Sequence, residues 1–281
     1  MKLRAVTSME RGIHSASARG ISAALRSAWS ILRRCGLKSA LQRVTGIMLP
    51  GVFLAVAAAA QPDDFQQAAT ACAAGDYSAA ADGFAELAQL KPASGTLQNL
   101  GLAEWRRGRS GHAILAWERA LWVDPFNDAA RENLRFVRKA AHLEEPELAW
   151  FEAASTWLPA NVWAVLAGIS LWFAVGMITL PRVFRWQRAN WTQGLAAAGI
   201  AIFLLCLPSL AGVETRSHIG FALEKETPLR LTPTRDAQTI SLLAEGQPAR
   251  WERARGDYLL IRTPYGKGWI ERGQFGRICP Q

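Results

Sequence analysis

Hydrophobic positions fall into distinct regimes along the chain, and each regime predicts a different kind of element. Residues 47 to 60 (IMLPGVFLAVAAAA) form a short unbroken apolar run ending in small residues at Ala58 and Ala60. From 62 to 141 apolar side chains recur at helical spacing, which predicts a bundle of amphipathic helices. Two stretches, Ala160 to Leu180 and Gly194 to Val213, hold no charged residue and are each long enough for a membrane-crossing helix. Neither has a polar face to turn toward water, which argues against buried helices of a soluble domain. From Glu226 onward the pattern changes to short runs at Leu229–Leu231, Ile240–Leu243, Arg250–Arg253, Tyr258–Arg262 and Trp269–Glu271. Gly246, Gly256, Gly266 and Gly273 punctuate these runs, as in a small all-β barrel.

Charge gives the apolar stretches an orientation. The connector Pro181 to Gln193 carries Arg182, Arg185 and Arg188 and no acid, whereas the flank before the first span carries Glu144, Glu145, Glu147 and Glu152 without Lys or Arg. The positive-inside bias places the connector in the cytoplasm and both folded modules on the extracytoplasmic side of a bacterial inner membrane. The run at 47–60 follows Lys38 and Arg43, and the order basic, apolar, small reads as a secretory signal cleaved near Ala60, with a retained anchor as the alternative. Met9 and Met48 stay open as start positions, because residues 1 to 36 are long for a signal n-region. Trp150, Trp157 and Trp163, with Trp186 and Trp191, stand where indole rings favour the headgroup layer. The linker 142–159 is expected to lie on the membrane as a short helix over Glu147 to Leu158, with an acidic face that holds anionic lipid poorly.

The helical region repeats itself. At an offset of 33, Gly75 matches Gly108, Ala80 matches Ala113, Phe84 matches Trp117, Leu87 matches Ala120 and Pro92 matches Pro125. The pattern Leu97-x-x-Leu100-Gly101, Ala113-x-x-x-Trp117, Ala120, Pro125 resembles the tetratricopeptide repeat, with Ala71 and Glu104 standing where that family has an aromatic residue. Small Ala80, Gly101 and Ala113 let helices approach, Phe84 and Trp117 fill the gap, and the prolines end each second helix. Asp128 to Ala141 presents Ala130, Leu134 and Val137 on one face and should cap the stack. The resemblance implies peptide capture on a concave face, for which Gln98, Trp105 and Arg106 are the candidates; exposed helix residues without a role are the bland alternative.

The C-terminal region resembles a bacterial SH3 domain over residues 222–281. The likeness rests on Pro228-Leu229-Arg230 and Pro233, Leu243-x-x-Gly246, Asp257-Tyr258-x-x-Ile261-Arg262, and Gly266-x-Gly268-Trp269-Ile270. It implies ligand binding through an aromatic groove, with Tyr258, Tyr265 and Trp269 as candidates; Tyr258 and Trp269 could instead fill the barrel core.

The formal charge of +9 does not change this picture. Nine of the 32 basic residues lie in 1–61 against one acid, and the rest of the chain is almost neutral, so no bulk field attracts nucleic acid. Cysteines at 35, 72, 206 and 279 form no C-x-x-C pair, so neither a metal site nor a redox dithiol is expected; Cys72 reads as a buried apolar residue in preference to a disulfide with Cys279. No H-E-x-x-H, G-x-S-x-G or phosphate-cradling loop is present, so no catalytic residue and no cofactor are assigned. The expected fold is multi-domain α plus small β: leader 1–61, repeat solenoid 62–141, linker 142–159, spans 160–180 and 194–213 around the loop 181–193, and the barrel 222–281. That order resembles BatE-like proteins of the Bacteroides aerotolerance operon. The resemblance implies a non-enzymatic membrane scaffold that binds other envelope proteins in envelope stress or aerotolerance. Peptidoglycan tethering through the barrel is the alternative.

Overall fold

A computed structural model describes residues 62–183 and 190–279. The leader expected over 1–61 lies outside them, as do Arg185, Trp186 and Arg188 of the connector.

Among the described residues five helices come first: α1 (Pro62–Ala73), α2 (Tyr77–Leu90), α3 (Ser94–Arg106), α4 (Ser110–Val123) and α5 (Asp128–Ala140). The turns α1–α2 and α3–α4 pass through Gly75 and Gly108 at φ of +84° and +80°, a conformation open to glycine and costly for side chains with a Cβ. That is the physical reason the two glycines match at the 33-residue offset. The Asp76 carboxylate accepts the Ala79 N–H at 3.0 Å and so caps α2, and Asn127 caps α5 by accepting the Ala130 N–H. The residues expected to let helices approach and to fill the gap do so: Ala80, Phe84, Ala113 and Trp117 are buried. Gly101 lies flat against the Trp117 ring, and a Cβ there would stand 2.6 Å from indole Cδ1.

Past a linker carrying the six-residue α6 (Trp150–Ser155), two long helices follow, α7 (Ala160–Val183) and α8 (Asn190–Arg216). Segments of 22 and 26 residues within them are long and apolar enough to cross a membrane. Helix α7 runs through Pro181 to Val183 and α8 starts at Asn190, so both helices extend into the segment 181–193 expected as a loop. Small residues face the partner helix: Ala167, Ser170 and Ala174 are buried, as are Ala196 and Cys206, and a Cβ on Gly199 would sit 3.0 Å from the Ser170 carbonyl. Large ones face outward, with Trp172 and Leu205 each 74% exposed. This inverts the packing of a water-soluble helix pair and suits hydrocarbon.

Two residues, Ser217 and His218, separate α8 from the first of seven strands. These are β1 (Ile219–Ala222), β2 (Thr227–Arg230), β3 (Thr239–Leu243), β4 (Pro248–Arg255), β5 (Tyr258–Thr263), β6 (Gly266–Glu271) and β7 (Phe275–Arg277), with a 3₁₀ turn before the last. They make one antiparallel sheet in the order β3-β2-β6-β5-β4-β1-β7. Every strand sends a side chain to one core of Ala222, Leu229, Leu243, Ala249, Leu259, Ile261, Ile270 and Phe275. A flat sheet cannot bring both of its edge strands to a common core, so this one curls upon itself.

Strands β1 and β7 were not foreseen, and β1 begins before the boundary drawn at residue 222. All four residues of β1 are buried, so no alternation betrays the strand. The reason lies in its second face: Ile219, Phe221 and Ile278 join a core with Ile114, Leu115 and Trp117 of α4 and Leu134 and Val137 of α5. The helical repeat and the barrel therefore share apolar interior. Glycines seal the seam, for a Cβ on Gly111 would meet the Ala222 carbonyl at 2.6 Å, and one on Gly276 would collide with Leu115. Two polar links cross it as well. The Gly111 N–H donates to Glu245 Oε1 at 2.7 Å, and the Arg119 guanidinium donates through Nε and Nη2 to the Arg277 carbonyl.

Candidate functional site

Helix α3 carries the three residues expected to meet a partner. Gln98 and Trp105 are half-buried and Arg106 is exposed, and their spacing of seven and eight residues puts them on one side of the helix. They do not serve one purpose. The Gln98 carbonyl accepts the Trp117 indole N–H at 3.1 Å, a contact of the repeat interior. Trp105 meets Phe136 of α5 edge to face at 5.9 Å, and the Arg106 guanidinium lies 5.9 Å from the Tyr77 ring and 5.5 Å from that of Trp105. Phe136, 61% exposed, completes an aromatic and cationic patch. Tyr77 and Phe136 were not among the candidate binding residues, because a helical residue's neighbours across a bundle are set by packing.

On the barrel, register places two of three candidates together. Arg230, Trp269, Leu260 and Arg253 pair in succession across β2, β6, β5 and β4, and Glu271, Tyr258 and Arg255 form the next rung. The inward residues of these strands, Leu259, Ile261 and Ile270, are buried, so both rungs point outward by alternation. Tyr258 and Trp269 thus lie diagonally on the outer face, half-buried, and not in the core. Beside Tyr258 a cleft opens between Thr232, Pro233 and Thr234 of the β2–β3 loop and the turn at Arg255–Asp257. Tyr265 is elsewhere. It stands in the β5–β6 turn, 71% exposed, and borders a different cleft, of about 370 Å³, with Glu144, Glu145 and Glu147 of the linker.

Arginine is the feature the motif reading passed over. Arg253 and Arg255 are exposed and enter no ion pair among the described residues. Their period-two spacing in β4 was the available signal. The neighbouring Glu252 sits at a bulge and is claimed by Lys267 at 2.9 Å and by Arg262. The outer face next to Tyr258 and Trp269 thus carries Arg230, Arg253 and Arg255 against Glu271, an excess of positive charge.

Glu152 corrects the expectation of an acidic face on the linker helix. Its side chain turns inward and is 3% exposed, where both its oxygens accept from Arg250 of β4 at 2.7 Å and Oε2 also accepts the Ala149 N–H. Burial by itself would raise this carboxyl. Hydrogen bonds from Arg250, Thr215 and Ala149, with the Arg250 charge, outweigh it and hold the pKa at about 2. Arg250 also donates to the Glu147 carbonyl, so the linker is pinned to the barrel.

At the other end of the seam His112 is half-buried between Glu104, Arg109, Glu224 and Glu245. Burial pushes its imidazole below the usual range; Glu104 opposes that and Arg109 adds to it. Among the described residues no three of His, Cys, Asp and Glu gather closely enough to hold a metal ion, and no disulfide joins Cys72 to Cys279. No family model matches the chain, and no curated protein or solved structure does.

Proposed function

We propose that the chain is a non-catalytic membrane scaffold, with α7 and α8 crossing the bilayer and the repeat and barrel presented together on its extracytoplasmic side. The observation that carries this reading is the shared interior of α4, α5 and β1, set two residues beyond an apolar helix of spanning length. Such a body holds two recognition faces at fixed separation, which a scaffold needs and a flexible tether would not give. The Trp105–Arg106 patch would be the tetratricopeptide-like face. The Tyr258–Trp269 face, with Arg230, Arg253 and Arg255, would be the SH3-like one, and its charge favours acidic protein segments. The resemblance to BatE-like proteins supports envelope partners of this kind.

Co-purification from native membranes tests the reading. The full chain should retain a partner set that is lost with Arg253→Glu/Arg255→Glu, and an unchanged set from the variant would sink the assignment of that face. The unpaired arginines also favour a second reading, in which carboxylate-bearing wall peptides occupy the same face. In that case the full chain in detergent sediments with purified peptidoglycan and the double variant does not.

A further inference from the structure

Three exposed apolar side chains lie at one edge of the repeat and take no part in either patch: Leu90 (70%), Val123 (36%) and Phe126 (65%). Leu90 and Val123 end α2 and α4 and match at the 33-residue offset, so they occupy equivalent tips. Phe126 stands three residues further on, in the turn to α5, its N–H held by Asp124 Oδ1.

The direction of α4 says what this edge meets. The N-terminal end of α4 packs on the barrel, with Gly111 against Ala222. Its C-terminal end packs on the end of α8, with Trp122 under the Arg216 guanidinium at 5.2 Å. Arg216 lies three residues past Val213, the last residue of the uncharged stretch, which is ~4.5 Å along a helix. The headgroup layer is about 5–7 Å deep on each side of the hydrocarbon. With α8 in the bilayer the Arg216 backbone stands at headgroup level with Trp122 beside its guanidinium, and Val123 and Phe126 continue from Trp122 away from the barrel contact at Gly111. Charges around the tip, Lys91, Asp124, Asp128 and Arg131, balance in sign, so the contact does not require anionic lipid.

We propose that the α4–α5 turn of the repeat rests in the lipid headgroup layer through Val123 and Phe126, giving the body a footing on the membrane beside the two spans. This rests on α7 and α8 spanning the bilayer. The test is photo-crosslinking of the full chain in phosphatidylcholine nanodiscs, with benzoyl-phenylalanine placed at Phe126, at Phe136 or at Leu205. Phe126 and Phe136 are similarly exposed phenylalanines, but Phe136 packs on Trp105 at the opposite end of α3. Leu205 is an outward residue of α8.

Lipid adducts are expected at Phe126 and Leu205, with at least a fivefold lower yield at Phe136. Adducts at Leu205 without Phe126 overturn the footing and leave the spans intact. Equal yields at Phe126 and Phe136 also overturn it. Failure at Leu205 removes the spanning reading itself, and the footing with it.

Discussion

Glu152 shows how one side chain can carry opposite meanings in sequence and in space. Along the chain it is an acid near a span, one of four that bias orientation; in the fold it is shut from solvent and gripped by Arg250. Its folded pKa of about 2 lies below the ordinary 4.5, so the stabilisation it supplies is fully present above pH 4.5 and disappears as pH falls toward 2. The gap corresponds to about 3 kcal/mol. Thermal unfolding in detergent should show Glu152→Gln well below the parent at pH 7, with the difference shrinking steadily between pH 4.5 and 2.5. A constant difference over that range would contradict the pairing. Nothing in the local sequence announces Arg250, which lies 98 residues away, so this ion pair was not legible there.

At the scale of elements, the pair α3–α4 is held at the spacing its glycine permits. A methyl group on Gly101 would press into the Trp117 indole, and that ring, 1% exposed, has no free volume to enter. Gly101→Ala should cost about 1–3 kcal/mol of stability, whereas Gly95→Ala, which meets nothing within 4 Å, should be neutral or slightly stabilising. Chemical denaturation of the two variants checks the contrast. This part of the fold was readable because repeats print their packing twice, and Phe84 with Trp117 or Gly75 with Gly108 can be aligned by eye. Helix α4 was only half read. Its run Ile114-Leu115-Ala116-Trp117 is buried on every side, and a helix apolar all round announces a cover on both faces. The cover proved to be β1, whose uniform burial erased the alternation that reveals a strand. That Tyr258 and Trp269 share the outer face while Tyr265 stands apart was not legible, because it depends on strand register and on where the β5–β6 turn falls.

For the whole molecule, the shared interior predicts cooperative behaviour. Calorimetry of the intact chain should give one transition for repeat and barrel, and two well-separated transitions would deny the common core. A fragment of residues 222–281 lacks most of β1 and should show no protected amides. One of 217–281 regains the strand but bares Ile219, Phe221 and Ile278, and should self-associate. The junction at Ser217 and His218 has a further consequence. With so little chain between helix and strand there is no swivel, so on the proposed reading any tilt imposed on the helix pair by a neighbour within the bilayer would re-aim both proposed recognition faces together, as a mast turns everything bolted to it.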